Sequence, residues 1–85
     1  MKEITYTRAA IRDLRRIPQA ERDRLREKIR QYADDPQSLA NNVTRLVGSP
    51  SIRLRVGAYR VIFKESAASI DILAVRKRTE ATYRD

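Results

Sequence analysis

Ile52-Arg53-Leu54-Arg55-Val56-Gly57-Ala58-Tyr59-Arg60-Val61-Ile62-Phe63 alternates apolar and polar residues on either side of a Gly-Ala pair. Alternation at period two marks a strand with one face buried. Two such runs around a two-residue loop led by glycine predict a hairpin with a type II′ turn. That turn fixes the pairing: Val56 with Tyr59, Arg55 with Arg60, Leu54 with Val61, Arg53 with Ile62, Ile52 with Phe63, and Ser51 with Lys64. Side chains alternate across a sheet, so one face collects Ile52, Leu54, Val56, Tyr59, Val61 and Phe63. The other collects Arg53, Arg55, Arg60 and Lys64, with Ile62 and Ser51 among them. Like charges set opposite one another destabilise a sheet pair. Arg55 facing Arg60 therefore asks for an acid from elsewhere, such as Asp71 or Glu65, or for an anionic ligand. Guanidinium forks match phosphate oxygens bidentately.

Outward from the hairpin, the chain divides into helices early and strands late. Lys2 to Tyr6 reads as a strand, and Thr7 as the N-cap of a helix over 8–17 with a stripe of Ala10, Leu14 and Ile17. Pro18 ends that helix and opens a second one, whose stripe is Leu25, Ile29, Tyr32 and Ala33. Asp34-Asp35-Pro36 stops it. Residues 37–42 read as a loop and 43–47 as a short strand. Ser66 to Ser69 reads as a turn. The near-continuous apolarity of 70–75 predicts a strand inside the sheet. The tail, 76–85, is polar and basic. The expected fold is α+β: an N-terminal strand, an αα-hairpin, then a three- to four-stranded, mainly antiparallel sheet with the helices on one face. Residues 1–85 are expected to form a single domain.

Composition narrows the chemistry. The 85 residues carry 19 Lys+Arg against 11 Asp+Glu, a net charge of +8, and include no Cys, His or Trp. Ser-His and Cys-His catalysis and zinc-finger sites are thereby excluded. No GxxxxGK[ST] loop is present for a nucleotide. No cofactor or metal is expected. No apolar run approaches a membrane span, and the first residues do not read as a signal peptide. A soluble, cytoplasmic protein with an anionic partner is the expectation.

The segment 46–63, with its Leu-Val-Gly run followed by Arg-Leu-Arg-Val-Gly-Ala-Tyr-Arg-Val-Ile-Phe, resembles the centre of RelE/ParE-type toxins of bacterial type II toxin–antitoxin systems. Val75-Arg76-Lys77-Arg78-Thr79-Glu80-Ala81-Thr82-Tyr83-Arg84 is similar to the closing basic tail of that family. The resemblance spans essentially the whole chain and favours the RelE branch. It implies a RelE-like microbial RNase fold and metal-independent, ribosome-dependent mRNA cleavage that inhibits translation. In that reaction the ribose 2′-OH attacks the adjacent phosphodiester and leaves a cyclic phosphate. By resemblance, Arg60 and Arg53 contact the scissile phosphate and Arg55 adds a basic residue beside them. Lys77 or Arg78 acts on the leaving side, the register there staying open, and Tyr83 orients the nucleotide. These basic residues would also bind RNA. The expected partners are a cognate antitoxin, acidic or amphipathic, and the ribosome with its mRNA. Operator DNA would be reached only through the antitoxin.

One position departs from the family pattern. Ser51 stands where some RelE members place a lysine as general base. The hairpin pairing offers Lys64, opposite Ser51, as a substitute. Its alternative is an edge lysine that discourages aggregation. Two other functions compete with the nuclease: a ParE-like, non-enzymatic inhibitor of DNA gyrase, and a plain nucleic-acid-binding module.

Overall fold

The computed structural model describes residues 1–45 and 47–77. Strand β1 (Glu3–Tyr6) leads into helix α1 (Arg8–Arg15), then helix α2 (Gln19–Asp34). Strands β2 (Val43–Arg45), β3 (Ile52–Val56), β4 (Tyr59–Glu65) and β5 (Ser69–Lys77) follow. They form one sheet in the order β1-β5-β4-β3-β2. β1 runs parallel to β5, and the other neighbours are antiparallel. The expected α+β arrangement is present, with β5 inside the sheet.

The helices form where the local chemistry directs them. Thr7 Oγ1 accepts the Ala10 amide at 3.1 Å, and the same hydroxyl donates to the Leu73 carbonyl at 3.0 Å. One residue thus caps α1 and ties it to β5. α1 stops at Arg15 rather than continuing to Ile17, because the residue before Pro18 disfavours the helical region. Ile17 is still buried. Residues 36–42, expected as a loop, form 3₁₀ turns with a kink at Leu39. Asp35 anchors them: its carbonyl accepts both the Ser38 amide at 3.1 Å and the Ser38 hydroxyl at 2.7 Å. Leu39 is buried there, which a solvated loop would not require.

The core lies between the helices and one sheet face. Ala10, Leu14, Leu25, Ile29, Tyr32 and Ala33 meet Ile52, Leu54, Val61, Phe63, Ile70 and Ile72. Tyr32 and Phe63 pack edge to face, with ring centroids 5.1 Å apart. The hairpin pairs Val56 with Tyr59 through Ile52 with Phe63, the register that the Gly-Ala turn dictates. Gly57 has φ +58, which its missing Cβ permits and which the first position of a type II′ turn demands.

One polar cluster closes the end of this layer. Tyr32 Oη donates to Glu65 Oε1 at 2.8 Å, Lys2 Nζ reaches Glu65 Oε2 at 2.6 Å, and Arg45 lies 3.6 Å from Oε1. Glu65 is therefore occupied on the helix side and is not the acid that relieves the arginines of the hairpin. Burial alone would raise the Glu65 carboxyl. The bonds from Lys2 and Tyr32, with the charges of Lys2 and Arg45, outweigh burial and hold it below the usual carboxylate range. Burial and then the bond to Glu65 push the Tyr32 hydroxyl up to about 12. Since the folded state depresses Glu65, its contribution is full above the unfolded carboxylate value, about pH 4.3, and disappears as the pH falls through the lower, folded value. Glu65→Gln keeps a partner for Tyr32 but loses the charge, and should cost about 1–3 kcal/mol at neutral pH. Denaturant melts should show the difference between parent and variant shrinking as pH drops below about 4. A difference that stays constant down to acid pH would show that the charge of Glu65 does not contribute.

Candidate anion-binding face of the sheet

The helices cover only one face of the sheet. On the other face, strand register sets three rows of side chains. Arg55, Arg60 and Arg76 are successive cross-strand partners on β3, β4 and β5. Thr44, Arg53, Ile62 and Ala74 form the next row. Lys64, Asp71 and Thr5 form the third. Neighbouring strands are about 4.8 Å apart, so the arginine row spans roughly 10 Å across the sheet.

Arg53 holds the middle of this face. Directly across from it is Ile62, and its diagonal neighbours on β4 are Arg60 and Lys64, each about 7–8 Å away. Arg53, Arg60 and Ile62 are half-buried, whereas Arg55 and Lys64 are exposed. A half-buried guanidinium is partly fixed by packing before any ligand arrives, which lowers the ordering cost of binding. The half-buried Ile62 is an apolar floor between cations. The arrangement suits an anion laid over Ile62, with Arg53 beside it and Arg60 and Lys64 at its two ends.

Tyr59, the residue before Arg60, faces the other way. It is buried in the core and its hydroxyl donates to Glu21 Oε1 at 3.1 Å. Burial and the Glu21 bond raise that hydroxyl above its ordinary value, so it stays protonated at neutral pH. By anchoring β4 to α2, Tyr59 fixes the backbone from which Arg60 projects.

The structure brings together Arg53, Arg55, Arg60 and Lys64 on one face. Lys77 does not join them. Its cross-strand partner is Tyr59, so it projects to the helix side of the sheet. A bulge causes this: Ile62 pairs with Ala74 but Phe63 pairs with Ile72, leaving Leu73 as an extra residue on β5. The bulge reverses the alternation beyond it and sends Arg76 to the arginine face instead. Arg76 also lies 4.0 Å from Asp13, whose other contact is with the Val75 amide at 3.0 Å. That exposed ion pair is weak. Reading the sequence missed Arg76 because it sits in what read as a tail. The available signal was the spacing of the buried residues Ile70, Ile72 and Val75, which breaks from two to three. Ser51 and Lys64 lie one residue past the last ladder pair, Ile52 with Phe63. Across its other edge Lys64 pairs with Asp71, which accepts the Thr5 hydroxyl at 2.6 Å. Arg78 and Tyr83 lie outside the described residues.

Fold and face together define a small α+β protein with a helix-covered core and a cationic sheet surface that no helix covers among the described residues. The chain belongs to the ParE toxin family of type II toxin–antitoxin systems (parDE), whose model matches residues 4–82. No curated protein matches the sequence. Among solved structures, the chain is similar to the archaeal RelE of the RelE–RelB complex from Pyrococcus horikoshii OT3, at 24% identity over 94% of this chain and 98% of that chain, with a TM-score of 0.78. It is also similar to the isolated E. coli RelE toxin, at 16% identity over 99% of this chain and 92% of that chain, with a TM-score of 0.76. E. coli RelE in the intact RelBE toxin–antitoxin complex gives 21% identity over 91% and 96%, with a TM-score of 0.70. These likenesses establish a shared fold. Among the described residues no helix is long and apolar enough to cross a membrane.

Proposed function

We propose that this toxin is a ribosome-dependent mRNA endoribonuclease, restrained by a cognate antitoxin. The observation that carries this reading is the sheet face opposite the helices, where Arg55, Arg60 and Arg76 form one row and Arg53 sits diagonally behind it. Cleavage by the ribose 2′-OH needs little from a protein beyond orientation, charge and proton transfer. The 2′-oxygen bonds to phosphorus while its proton is accepted. The bond from phosphorus to the 5′-oxygen breaks and that oxygen takes a proton, leaving a 2′,3′-cyclic phosphate and a 5′-hydroxyl. Negative charge grows on the non-bridging oxygens of the phosphorane, and Arg53 and Arg60 are placed to stabilise it. Arginine hardly deprotonates and cannot accept the first proton. We assign that role to Lys64, with Arg76 in place of Lys77 as the further cation beside Arg60. Arg78 and Tyr83 keep the roles that family resemblance gives them.

Membership of the ParE toxin family favours a second reading: as the resemblance implies for ParE-like members, the toxin would bind and inhibit DNA gyrase without catalysis. Pulse-labelling after induction separates the two. The nuclease reading expects protein synthesis to fall first and mRNA to be cut in translated regions. Early loss of replication with intact message would overturn it.

Lys64→Met should slow single-turnover cleavage of a defined mRNA on programmed ribosomes by about 10²-fold or more and leave ribosome binding nearly unchanged. Cleavage at the parent rate would make Lys64 a surface residue. For the antitoxin, the net charge of +8 implies an acidic or amphipathic segment laid on the toxin. Complementary charge speeds encounter and is screened by salt. The association rate should drop at least about tenfold between low and high ionic strength. A rate that does not change with salt would mean that the charge of the toxin does not guide association.

A further inference from the structure

The arginine row does not end at the sheet. β2 pairs with Ile52, Arg53 and Leu54, so among the described residues no strand flanks the last residues of β3, Arg55 and Val56, on that side. A pocket of about 210 Å³ opens at this uncovered edge. Arg24 and Lys28 from α2 and Arg55 from β3 line it over a floor of Leu39, Leu54 and Val56. Among the described residues no carboxylate lines it. The Asn42 amide reaches the Arg55 carbonyl at 3.4 Å and fixes one wall. On another wall the Gly57 turn comes so close that a Cβ there would lie 3.7 Å from the Arg24 guanidinium. Arg24 and Lys28 are four residues apart and share one face of α2. Arg55 belongs both to this pocket and to the row with Arg60.

We propose that this pocket is a second phosphate site, which takes a backbone phosphate of single-stranded RNA leaving the sheet face. Arg24 and Lys28, one turn apart beside the Arg55 edge of β3 and with no carboxylate among the described lining residues, repel one another unless an anion joins them. The continuity through Arg55 makes an RNA strand the occupant: a chain lying along Arg76, Arg60 and Arg55 reaches Arg24 and Lys28 by turning round the end of β3. The inference rests on the nuclease reading and adds to it a track that holds the message on one side of the cut.

The test uses the full toxin and RNA that cannot be cut because its 2′ positions are methylated. Two strands are compared: one of roughly twelve nucleotides, within the range a single-strand surface covers, and a trinucleotide that only spans the arginine row. Arg24→Gln/Lys28→Gln replaces two outer helix residues with another good helix former, so the fold should persist, as circular dichroism would check. The double variant should bind the long strand roughly tenfold more weakly at low salt. Its salt slope should fall by about 0.7 for each phosphate that is no longer neutralised, while trinucleotide binding is unchanged. Arg60→Ala should weaken both strands. If parent and double variant bind the long strand with equal affinity and slope, the pocket is not on the RNA path and the inference fails alone. If the parent binds neither strand, the inference fails, while cleavage of a defined mRNA on programmed ribosomes decides the nuclease reading separately. If the double variant loses the trinucleotide equally, the pocket is not a separate site and the inference also fails.

Discussion

Arg60→Ala should leave a folded protein that no longer arrests growth. Arg60 projects from the sheet face opposite the helices, with Arg55 and Arg76 as its cross-strand partners, so truncating it opens no cavity in the core. On the nuclease reading, what it removes is a preorganised charge where negative charge develops on phosphorus. Loss of one such group costs about 3–4 kcal/mol, or roughly 10²–10³ in rate. Lysine should restore only part of that, because an ammonium cannot fork to two oxygens. The measurement is growth after induction, with a thermal melt to confirm folding. A folded Arg60→Ala variant that is as toxic as the parent would move the working face elsewhere. Because the competing readings have the same face bind without cutting, single-turnover rates should accompany the growth assay. A variant defective only in cleavage locates Arg60 at the reacting phosphate.

Phe63→Ala should remove a large share of the protein's stability. Phe63 is 1% exposed, lies on the central strand β4, and meets Tyr32 edge to face. Truncating a buried phenylalanine costs about 3–5 kcal/mol. A chain of this length has about 4–13 kcal/mol of stability in total. Phe63→Leu, which keeps most of the volume, should cost much less. Urea melts of the two variants would decide this. If Phe63→Ala loses less than about 1 kcal/mol, the packing between α2 and the sheet is looser than its geometry implies.

The sequence made the hairpin legible to the residue. Gly57 and Ala58 set the turn, the turn sets the register, and the register puts Arg53, Arg55, Arg60 and Lys64 on one face. Local rules suffice because every pairing involved lies within a few residues. Arg76 was not legible. A bulge at Leu73 depends on how β5 fits against β4 and β1 together, and its local trace, the break in spacing from Ile70 and Ile72 to Val75, does not by itself fix the extra step. The cluster around Glu65 was hidden for a similar reason. Its partners Tyr32 and Lys2 are 33 and 63 residues distant in the chain, and only the folded sheet brings them together.

β1 is the first strand of the chain, yet its sheet neighbour is β5, the last of the described strands. Glu3 finds Ser69, and Tyr6 finds Ile72. Such distant pairings close late, because the entropy of a long loop must be overcome before they are rewarded. Synthesis delivers about 5–20 residues each second, so β1, α1 and α2 wait several seconds for the strand that completes their sheet. Until β5 arrives, Arg76 is not aligned with Arg60, and the face that would hold a phosphate does not exist. On the nuclease reading, a growing chain of this kind cannot cut RNA until the sheet closes.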